Sequence, residues 1–399
     1  MSMDHATEKV RENGNGVELP STQRLIPFEN KEHSPESYED MQLDYSPLLF
    51  SSLERYLPPN MLNLPRDRKV HFLSDILTRY SPQGEHTRVQ KHRTYRQKIL
   101  SNYEHSSIGF QSLSVFFPSL SAYNHLNFFS QPRHKELYTM NAANFFVPSF
   151  LKAISENSEE SFRSIMAEPT AGVYTFEMFQ PKFCEMLMAE VESMERWVHD
   201  QRFHIICPNT MNKYGVVLDD FGLETMLNKL MEGYICPLSR VFFPEVGGLT
   251  LDSHHGFVVE YGVNRDIELG FHVDDSEVTL NVCLGEQFNG GDLFFRGVRC
   301  DKHVNTETQS EEVFDYAHVP GQAVLHRGCH RHGARATVSG HRVNLVIWCR
   351  SSVFRELKKH QNDFSSWCGD CQREKKERQR LSVAATKLEL LKRNGISAS

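Results

Sequence analysis

The sequence predicts an α+β fold in which the C-terminal half forms an antiparallel β-sandwich or jelly roll and the helices that precede it support the sheet. Three observations carry this prediction. Short β-branched and aromatic runs follow one another between residues 256 and 348, with turn residues and no helical period between them. Two stretches with helical apolar spacing lie just before them. With 399 residues and 39% hydrophobic content, the chain can bury a sizeable core.

The first 168 residues divide into two predicted segments. Residues 1–44 are rich in Glu, Ser, Asn and Pro, so burial cannot offset their ordering entropy, and we expect a disordered tail. Residues 45–168 are predicted to be a helical and aromatic-rich region. Its basic run, 86–98, could bind RNA, phosphate or an acidic partner. A solvated helix face is the simpler interpretation, because no recognition motif surrounds the run, so nucleic-acid binding is not indicated.

One strand and two amphipathic helices introduce the sheet region. The run from Gly172 to Phe176 has the composition of a strand. Apolar residues then recur three to four positions apart over 179–198 and again over 223–234, which predicts helices with one buried stripe each. Glu190 is among the glutamates expected on the other faces of the first helix. Helices of this kind would buttress a sheet.

The predicted strands of the sheet are separated by turn chemistry. Asn289-Gly290-Gly291 tolerates positive φ and predicts a hairpin, and Pro320-Gly321 marks another turn. The strands are predicted over 256–261, 277–284, 292–295, 322–325 and 342–348.

Composition excludes several classes of protein. The N-terminus has no apolar signal region, and no run approaches the roughly 18 apolar residues of a spanning helix, so membrane insertion and secretion are not expected. The nine cysteines are then expected to be reduced thiols, which indicates the cytoplasm or the nucleus. A net charge of -7 gives no general argument for nucleic-acid or membrane binding.

A His-x-Asp pair is the first candidate for chemistry. In His272-Val273-Asp274 the period of two of a strand places the imidazole and the carboxylate on one side of the strand end, where both can reach one ion. His332, from a distant strand, can complete a face of two histidines and one carboxylate that leaves three positions open on Fe(II). Taken alone, His-x-Asp also fits a charged surface turn. The following are interpreted as surface or core histidines: His254, His255, His303, His318, His326 and His330.

The order of motifs adds weight to this pair. It runs His272-x-Asp274, Phe288-Asn-Gly-Gly, Pro320-Gly321, His332 and then Arg342. This order resembles the prolyl and lysyl hydroxylase branch of the 2-oxoglutarate and Fe(II)-dependent dioxygenases. Cys329-His-Arg-His-Gly333 resembles the lysyl hydroxylase version. The wider pattern is most similar to the 2-oxoglutarate and iron-dependent oxygenase domain-containing proteins.

The resemblance implies a double-stranded β-helix, the jelly-roll fold, in a dioxygenase domain over 169–352 with its core at 255–350. It implies Fe(II) held by His272, Asp274 and His332, and the ten-residue spacing to Arg342 selects His332 over His330. Arg342 would pair with the distal carboxylate of 2-oxoglutarate, and its planar fork suits that role physically.

Further site residues follow by analogy with the same family. Tyr261 and Thr279 lie where a hydroxyl assists binding of the 2-oxoglutarate carboxylate, although a strand Tyr or Thr usually only packs. Asn281 is a weaker candidate. Asp275 is expected to support Asp274 or to lie at the surface rather than to bind the metal.

The implied activity is hydroxylation of a prolyl or lysyl side chain of a protein substrate. It would use O2 and 2-oxoglutarate, release succinate and CO2, and have L-ascorbate as an auxiliary that rescues oxidised iron. Two alternatives stay open. A catalytically silent jelly-roll interaction module would be favoured by an incomplete triad, and a structural metal-binding protein by closed four-ligand coordination.

Residues 353–399 are predicted to be a charged helical tail. Within them, Trp367-Cys-Gly-Asp-Cys371 looks like a thioredoxin-type active site, but the βαβ setting of such a domain is missing. A helix cap with two thiols, or half of a zinc site, fits better, and no second Cys-x-x-Cys completes four ligands.

Overall fold

The computed structural model describes residues 24–26, 28–45, 47–80, 94–101, 103, 132–285, 287–300, 302–358 and 367–393. These residues form helices packed on antiparallel sheets, so the predicted mixture of helix and antiparallel sheet is confirmed. The α-helices are α1 (Pro47–Glu54), α2 (Pro59–Leu62), α3 (Arg66–Tyr80), α4 (Ala142–Phe145), α5 (Pro148–Glu156), α6 (Glu159–Ile165), α7 (Pro181–Asp200), α8 (Glu224–Leu230), α9 (Cys236–Phe242), α10 (Ser352–Lys358) and α11 (Gly369–Arg393). A π-helical stretch, Met231–Ile235, joins α8 to α9.

The strands form a larger and a smaller sheet. They are β1 (Ala167–Thr170), β2 (Val173–Glu177), β3 (Gly215–Val217), β4 (Ser253–Gly262), β5 (Leu269–His272), β6 (Val278–Gly285), β7 (Phe288–Gly290), β8 (Leu293–Val298), β9 (Val313–Tyr316), β10 (Gln322–Arg327), β11 (His330–Ala334) and β12 (Thr337–Arg350). The larger sheet has the order β1-β2-β10-β6-β12-β4-β3, with β7 paired to β12, and the smaller has the order β5-β11-β8-β9.

The two faces of the larger sheet have different partners. Val258 on β4 and Leu345 on β12 join the main core, together with Leu187 of α7. Their sequence neighbours Phe257 and Val346 belong to a separate cluster on the opposite face. Because side chains alternate along a strand, one face of the sheet is covered by helices and the other is left to build a cavity.

Helix α7 ties the N-terminal helices to the sheet. Glu190 of α7 is fully buried, so the prediction that it lies on a solvent-facing side is wrong. The Tyr103 hydroxyl donates a hydrogen bond of 2.8 Å to Glu190 Oε1, and the backbone N–H of His134 donates one of 2.7 Å to Oε2. Phe145 packs in the same core as Ile347, so residues before 168 share one hydrophobic core with the sheet region.

Part of the expected disordered tail is ordered. Residues 1–23 lie outside the described part of the chain, but the prediction of disorder is wrong for residues 28–44. Tyr38 is fully buried and its hydroxyl donates a 2.5 Å hydrogen bond to Glu54 Oε2 of α1. Lys69 of α3 lies 2.8 Å from Glu54 and 2.5 Å from Glu36. This buried charge network and the apolar side chains around it hold the segment against α1–α3.

Other expectations fall partly outside the described residues. Residues 86–93 of the basic run and the aromatic stretch 108–131 are among these. In the described part of the run, Arg96 makes ion pairs of 3.4 to 3.7 Å with Asp219, Asp220 and Glu224. Of the C-terminal tail, α11 exposes residues 372–390 to solvent. Within the described ranges, no helix is long and apolar enough to cross a lipid bilayer.

The turn at Asn289-Gly290-Gly291 differs from the prediction. Gly290 and Gly291 have φ of +77° and +76°, the conformation that the sequence indicated. The predicted hairpin is wrong, however, because β6 and β8 belong to different sheets and β7 pairs with β12. Gly290 and Gly291 therefore lie in the connection between β7, which pairs with the larger sheet, and β8 of the smaller sheet.

Candidate metal centre and carboxylate pocket

A cluster of two histidines and one carboxylate lies where β5 and β11 pair. His272 on β5 is the cross-strand neighbour of His332 on β11, and Asp274 follows two residues after the end of β5. Asp274 Oδ1 lies 3.4 Å from His272 Nε2, and its Oδ2 lies 3.6 Å from His332 Nε2. All three ligand atoms lie within 4.8 Å of one another, so one ion could contact all of them.

Both imidazoles are oriented by backbone carbonyls. His272 Nδ1 lies 2.8 Å from the Gly270 carbonyl oxygen, and His332 Nδ1 lies 2.8 Å from that of His330. A carbonyl can only accept, so each Nδ1 carries the proton and each Nε2 presents a lone pair to the centre.

The protonation states favour metal binding. Burial lowers the pKa of His332 to about 3, so this imidazole is neutral at physiological pH. Burial would raise the pKa of Asp274, but the neighbouring His332 and His272 hold it below its ordinary value. Burial likewise lowers the pKa of His272, yet the hydrogen bond and charge of Asp274 outweigh this and raise it. A metal ion and a proton would therefore compete for His272 Nε2, and a bound ion would displace the proton.

Thr279 contacts the carboxylate of the cluster. Its hydroxyl donates a 2.7 Å hydrogen bond to Asp274 Oδ2 and lies 2.7 Å from the Ser276 hydroxyl. Thr279 thus orients Asp274, whereas the analogy with the family had placed it against the 2-oxoglutarate carboxylate. The adjacent Asp275 points elsewhere, 3.0 Å from Arg355 in a half-exposed ion pair.

Arg342 lies buried in β12, and two of the N–H donor atoms of its guanidinium lack acceptors among the described residues. Its side chain is fully buried, and Nη1 lies 2.7 Å from His318 Nε2. Burial, followed by the charge of Arg342, lowers the pKa of His318 well below its ordinary value, so the ring is neutral and accepts this hydrogen bond. Among the described residues, Arg342 Nε and Nη2 have no hydrogen-bond partner. A buried donor without an acceptor destabilises the folded protein by about 1 to 3 kcal/mol, so binding of an anionic acceptor at this site would be favourable.

The aromatic ring of Tyr261 packs against this guanidinium. The two residues are cross-strand neighbours, and the Arg342 carbon Cζ lies 4.0 Å from the Tyr261 ring centroid, within cation–π range. Asn212 Nδ2 donates a 3.0 Å hydrogen bond to the Tyr261 hydroxyl, which keeps its own proton available for a ligand. Asn281 lies nearby and accepts a 2.7 Å hydrogen bond from Asn344 Nδ2.

One cavity brings these residues together. Its volume is about 440 Å³ including its open mouth, and both sheets contribute to its wall. The predicted residues that line it are Tyr261, His272, Asp274, Thr279, Asn281, His332 and Arg342. A metal at the histidine–aspartate cluster and a carboxylate at Arg342 would therefore occupy one space. The donor set fits Fe(II), and the unmatched guanidinium donors fit the far end of a dicarboxylate.

Sequence reasoning missed two contributors to this site. His318 was interpreted as a surface or core histidine, and Asn212 lies in a loop far from every motif. No pattern in the sequence pairs either residue with Arg342 or Tyr261, because both contacts join segments distant along the chain. His326 and His330 are indeed buried histidines, packed around the Phe295 ring behind the cluster.

Comparisons with known proteins agree with this chemistry. A family model described as an OGFOD2-like domain matches residues 128–248. The chain is 60% identical, over 94% of its length and 88% of the relative's, to the 2-oxoglutarate and iron-dependent oxygenase domain-containing protein CP2 of Arabidopsis thaliana. It is 37% identical to the 2-oxoglutarate and iron-dependent oxygenase domain-containing protein 2 of Xenopus tropicalis, over 56% of this chain and 64% of that one. A more distant similarity, 28% identity over 34% of this chain and 19% of the relative, joins it to procollagen-lysine,2-oxoglutarate 5-dioxygenase 2 of Mus musculus.

Proposed function

Because the chain belongs to the 2-oxoglutarate and iron-dependent oxygenase domain-containing proteins, and is therefore an enzyme, we propose that it hydroxylates a prolyl or lysyl side chain of a protein. The reaction would consume 2-oxoglutarate and O2 and release succinate and CO2, with L-ascorbate keeping the metal reduced between turnovers.

Three side chains would hold the metal in this proposal. His272, Asp274 and His332 would bind Fe(II) and leave part of its coordination sphere open toward the cavity. The bound iron would supply the activation of O2. The carbonyls of Gly270 and His330 aim the two imidazoles, and Thr279 fixes the carboxylate, so the protein contributes a preorganised ligand face.

The observation that carries the proposal is the unmatched guanidinium of Arg342. Its free donors line the same cavity as the open side of the metal cluster, and a dicarboxylate with a keto group could reach both. Arg342 would orient the far carboxylate through two charge-assisted hydrogen bonds. The Tyr261 hydroxyl would add a third donor, and the ring beneath the guanidinium would restrict its movement.

The arrangement of the strands supports a double-stranded β-helix. From β4 to β12 the chain crosses repeatedly between the larger and the smaller sheet, and the paired strands are antiparallel. We assign the dioxygenase domain to residues 169–352, with the core at 255–350.

Exposed apolar side chains beside the metal cluster would suit a protein substrate. Phe271 and Val273, the neighbours of His272, are exposed apolar side chains, with 51% and 36% of their surface accessible. A peptide could pack on these two side chains along β5, the edge strand of the smaller sheet that carries His272. The similarity to a relative named as a procollagen-lysine dioxygenase supports a lysyl target.

An anaerobic titration with Fe(II) and 2-oxoglutarate tests this function. We expect the visible charge-transfer absorption of a keto acid chelated to Fe(II) to saturate at one equivalent per chain. His332→Ala should abolish the band, and Arg342→Ala should require far more 2-oxoglutarate to produce it. Two matched controls should leave the titration unchanged: His199→Ala, a side chain that is 90% exposed, and Arg335→Ala, whose half-exposed side chain pairs with Asp315.

Absence of the band in folded protein at saturating ligand would exclude the oxygenase assignment. A normal band in Arg342→Ala would instead show that the keto acid lies elsewhere, and would remove the observation on which the proposal rests.

A further inference from the structure

A second group of metal-binding side chains lies outside the cavity. Cys300 and His303 follow β8, and Cys368 and Cys371 lie at the start of α11. All four are buried, with at most 6% of their surface exposed. Their ligand atoms lie within 4.8 Å of one another.

The distances within this cluster match a tetrahedron. Cys300 Sγ lies 3.7 Å from Cys371 Sγ, and His303 Nδ1 lies 3.3, 3.6 and 3.5 Å from the sulfurs of Cys300, Cys368 and Cys371. A tetrahedral zinc with bonds of about 2.3 Å to sulfur and about 2.05 Å to nitrogen requires sulfur–sulfur edges of roughly 3.8 Å and nitrogen–sulfur edges of roughly 3.6 Å. All four edges therefore fit one ion at the centre.

The cluster is not a disulfide site. None of the cysteines in the described residues forms a disulfide, and 3.7 Å between sulfurs is far beyond the bond of about 2.05 Å. Without a metal, three buried thiols and an imidazole would make only weak hydrogen bonds with one another, whereas a metal ion would bind one lone pair of each ligand atom.

The surroundings support a bound cation. Glu374 Oε1 lies 3.0 Å from His303 Nε2, so Nε2 carries the proton and Nδ1 is the free ligand atom. Three thiolates around Zn²⁺ leave one net negative charge, and the buried Arg299 guanidinium lies beside the Cys368–Cys371 turn. Arg299 pairs at 2.6 Å with both Glu312 and Asp370, and Asp370 lies in the middle of that turn.

From this geometry we propose that Cys300, His303, Cys368 and Cys371 bind one structural zinc ion that fastens α11 to the end of β8. A closed set of three thiolates and one imidazole is typical of structural zinc and leaves no position for a substrate. Phe295, on the same strand β8, stacks 5.7 Å from His332, so the zinc site fixes a strand that borders the candidate metal centre.

This site completes a motif that the sequence showed only in half. The expectation that no second Cys-x-x-Cys supplies the missing ligands is literally true, but a Cys-x-x-His pair, Cys300 and His303, supplies them. The interpretation of His303 as an ordinary surface or core histidine is therefore replaced.

Metal analysis of the full-length protein tests the zinc site. We expect one zinc per chain in protein purified without added metal, retained in the His332→Ala variant and after brief treatment with a carboxylate chelator. A thiol-specific mercurial should release it. Cys371→Ser should lose the zinc, whereas Cys207→Ser, at an exposed free cysteine, should keep it.

A second measurement does not depend on the folding of a variant. Wild-type protein grown with Co²⁺ in place of Zn²⁺ should show the strong visible absorption of tetrahedral cobalt and near-ultraviolet thiolate charge transfer. Folded wild-type protein without stoichiometric zinc and without these bands would overturn the proposal. Zinc that disappears in His332→Ala but stays in Cys371→Ser would also overturn it, because the ion would then lie in the cavity.

Discussion

The two metal-ligand clusters of this chain differ in number of ligands, in chemistry and in surroundings. His272, Asp274 and His332 offer nitrogen and oxygen to an ion and face a cavity of about 440 Å³. The cluster at Cys300 and Cys371 offers four ligands, three of them sulfur, and lies packed between a strand end and a helix. An ion in the first keeps free positions for reactants, and an ion in the second has none. The ligand types and their surroundings together thus determine whether a bound ion would support chemistry or stability.

The two clusters also use the chain differently. In the first, a strand period of two brings His272 and Asp274 together, and the strand pair β5–β11 brings His332 opposite. In the second, two pairs spaced by three residues meet across some 70 positions of sequence, at a loop and a helix start. Changes at the His272–Asp274–His332 cluster should therefore impair catalysis. Changes at the cluster of Cys300 and Cys371 should impair stability.

Removing a ligand of the open cluster should give the largest effect on turnover. We expect His332→Ala to lower succinate formation from 2-oxoglutarate by about 1,000-fold, or ~4 kcal/mol, because a metal supplies several kcal/mol to the reaction. Its thermal midpoint without iron should stay close to that of the wild type. Unchanged turnover in His332→Ala would show that the open cluster does not hold the catalytic metal.

Removing a ligand of the closed cluster should give the largest effect on stability. We expect Cys371→Ser to lower the free energy of unfolding in urea by more than about 3 kcal/mol, since binding to structural zinc contributes about 10 to 16 kcal/mol in small domains. The folded fraction at low temperature should keep its iron-dependent turnover. Cys207→Ser serves as the control, and equal stability of the two variants would deny the cluster a structural role.

Altering the carboxylate pocket should affect one reactant only. We expect Arg342→Lys to raise the KM for 2-oxoglutarate about 10- to 100-fold, because an ammonium replaces a planar fork and a charged hydrogen bond contributes about 1.5 to 3 kcal/mol. The iron dependence should be nearly unchanged. Arg335→Lys is the matched control at a half-exposed position. An equal rise in the iron requirement would place Arg342 in the metal cluster instead.

Local patterns predicted the elements of the first cluster better than those of the second. The period of two at His272 is a short-range feature of one segment, and the ten-residue spacing from His332 to Arg342 has its meaning from the family resemblance. The partners His318 and Asn212 could not be predicted, because their contacts join loops to strands across long stretches of sequence. The proximity of Cys300 and Cys371 could not be predicted for the same reason, because they lie 71 positions apart in the sequence.

The burial of two polar side chains, Glu190 and Tyr38, could not be predicted from the sequence either. Glu190 has the sequence context of an exposed helix residue, yet its carboxylate collects donors from Tyr103 and His134. Tyr38, in a segment of disordered composition, is buried because it packs on Phe50 in an apolar cluster and its hydroxyl bonds to Glu54. Composition counts what a segment contains, whereas burial depends on partners that other segments supply.

Loosening the orientation of Asp274 should give the smallest of these effects. Thr279→Val keeps the shape of the side chain but removes the 2.7 Å hydrogen bond to Asp274 Oδ2. We expect the concentration of Fe(II) needed for half-maximal turnover to rise about 10-fold, the lower end of the range for residues that orient metal ligands. The KM for 2-oxoglutarate should rise less, because Thr279 contacts the metal ligand rather than Arg342. Thr175→Val, at a half-buried strand position of β2, should change neither. A larger rise in the KM for 2-oxoglutarate than in the Fe(II) requirement would contradict this assignment. It would instead indicate that Thr279 contacts the 2-oxoglutarate carboxylate, as the family resemblance implied.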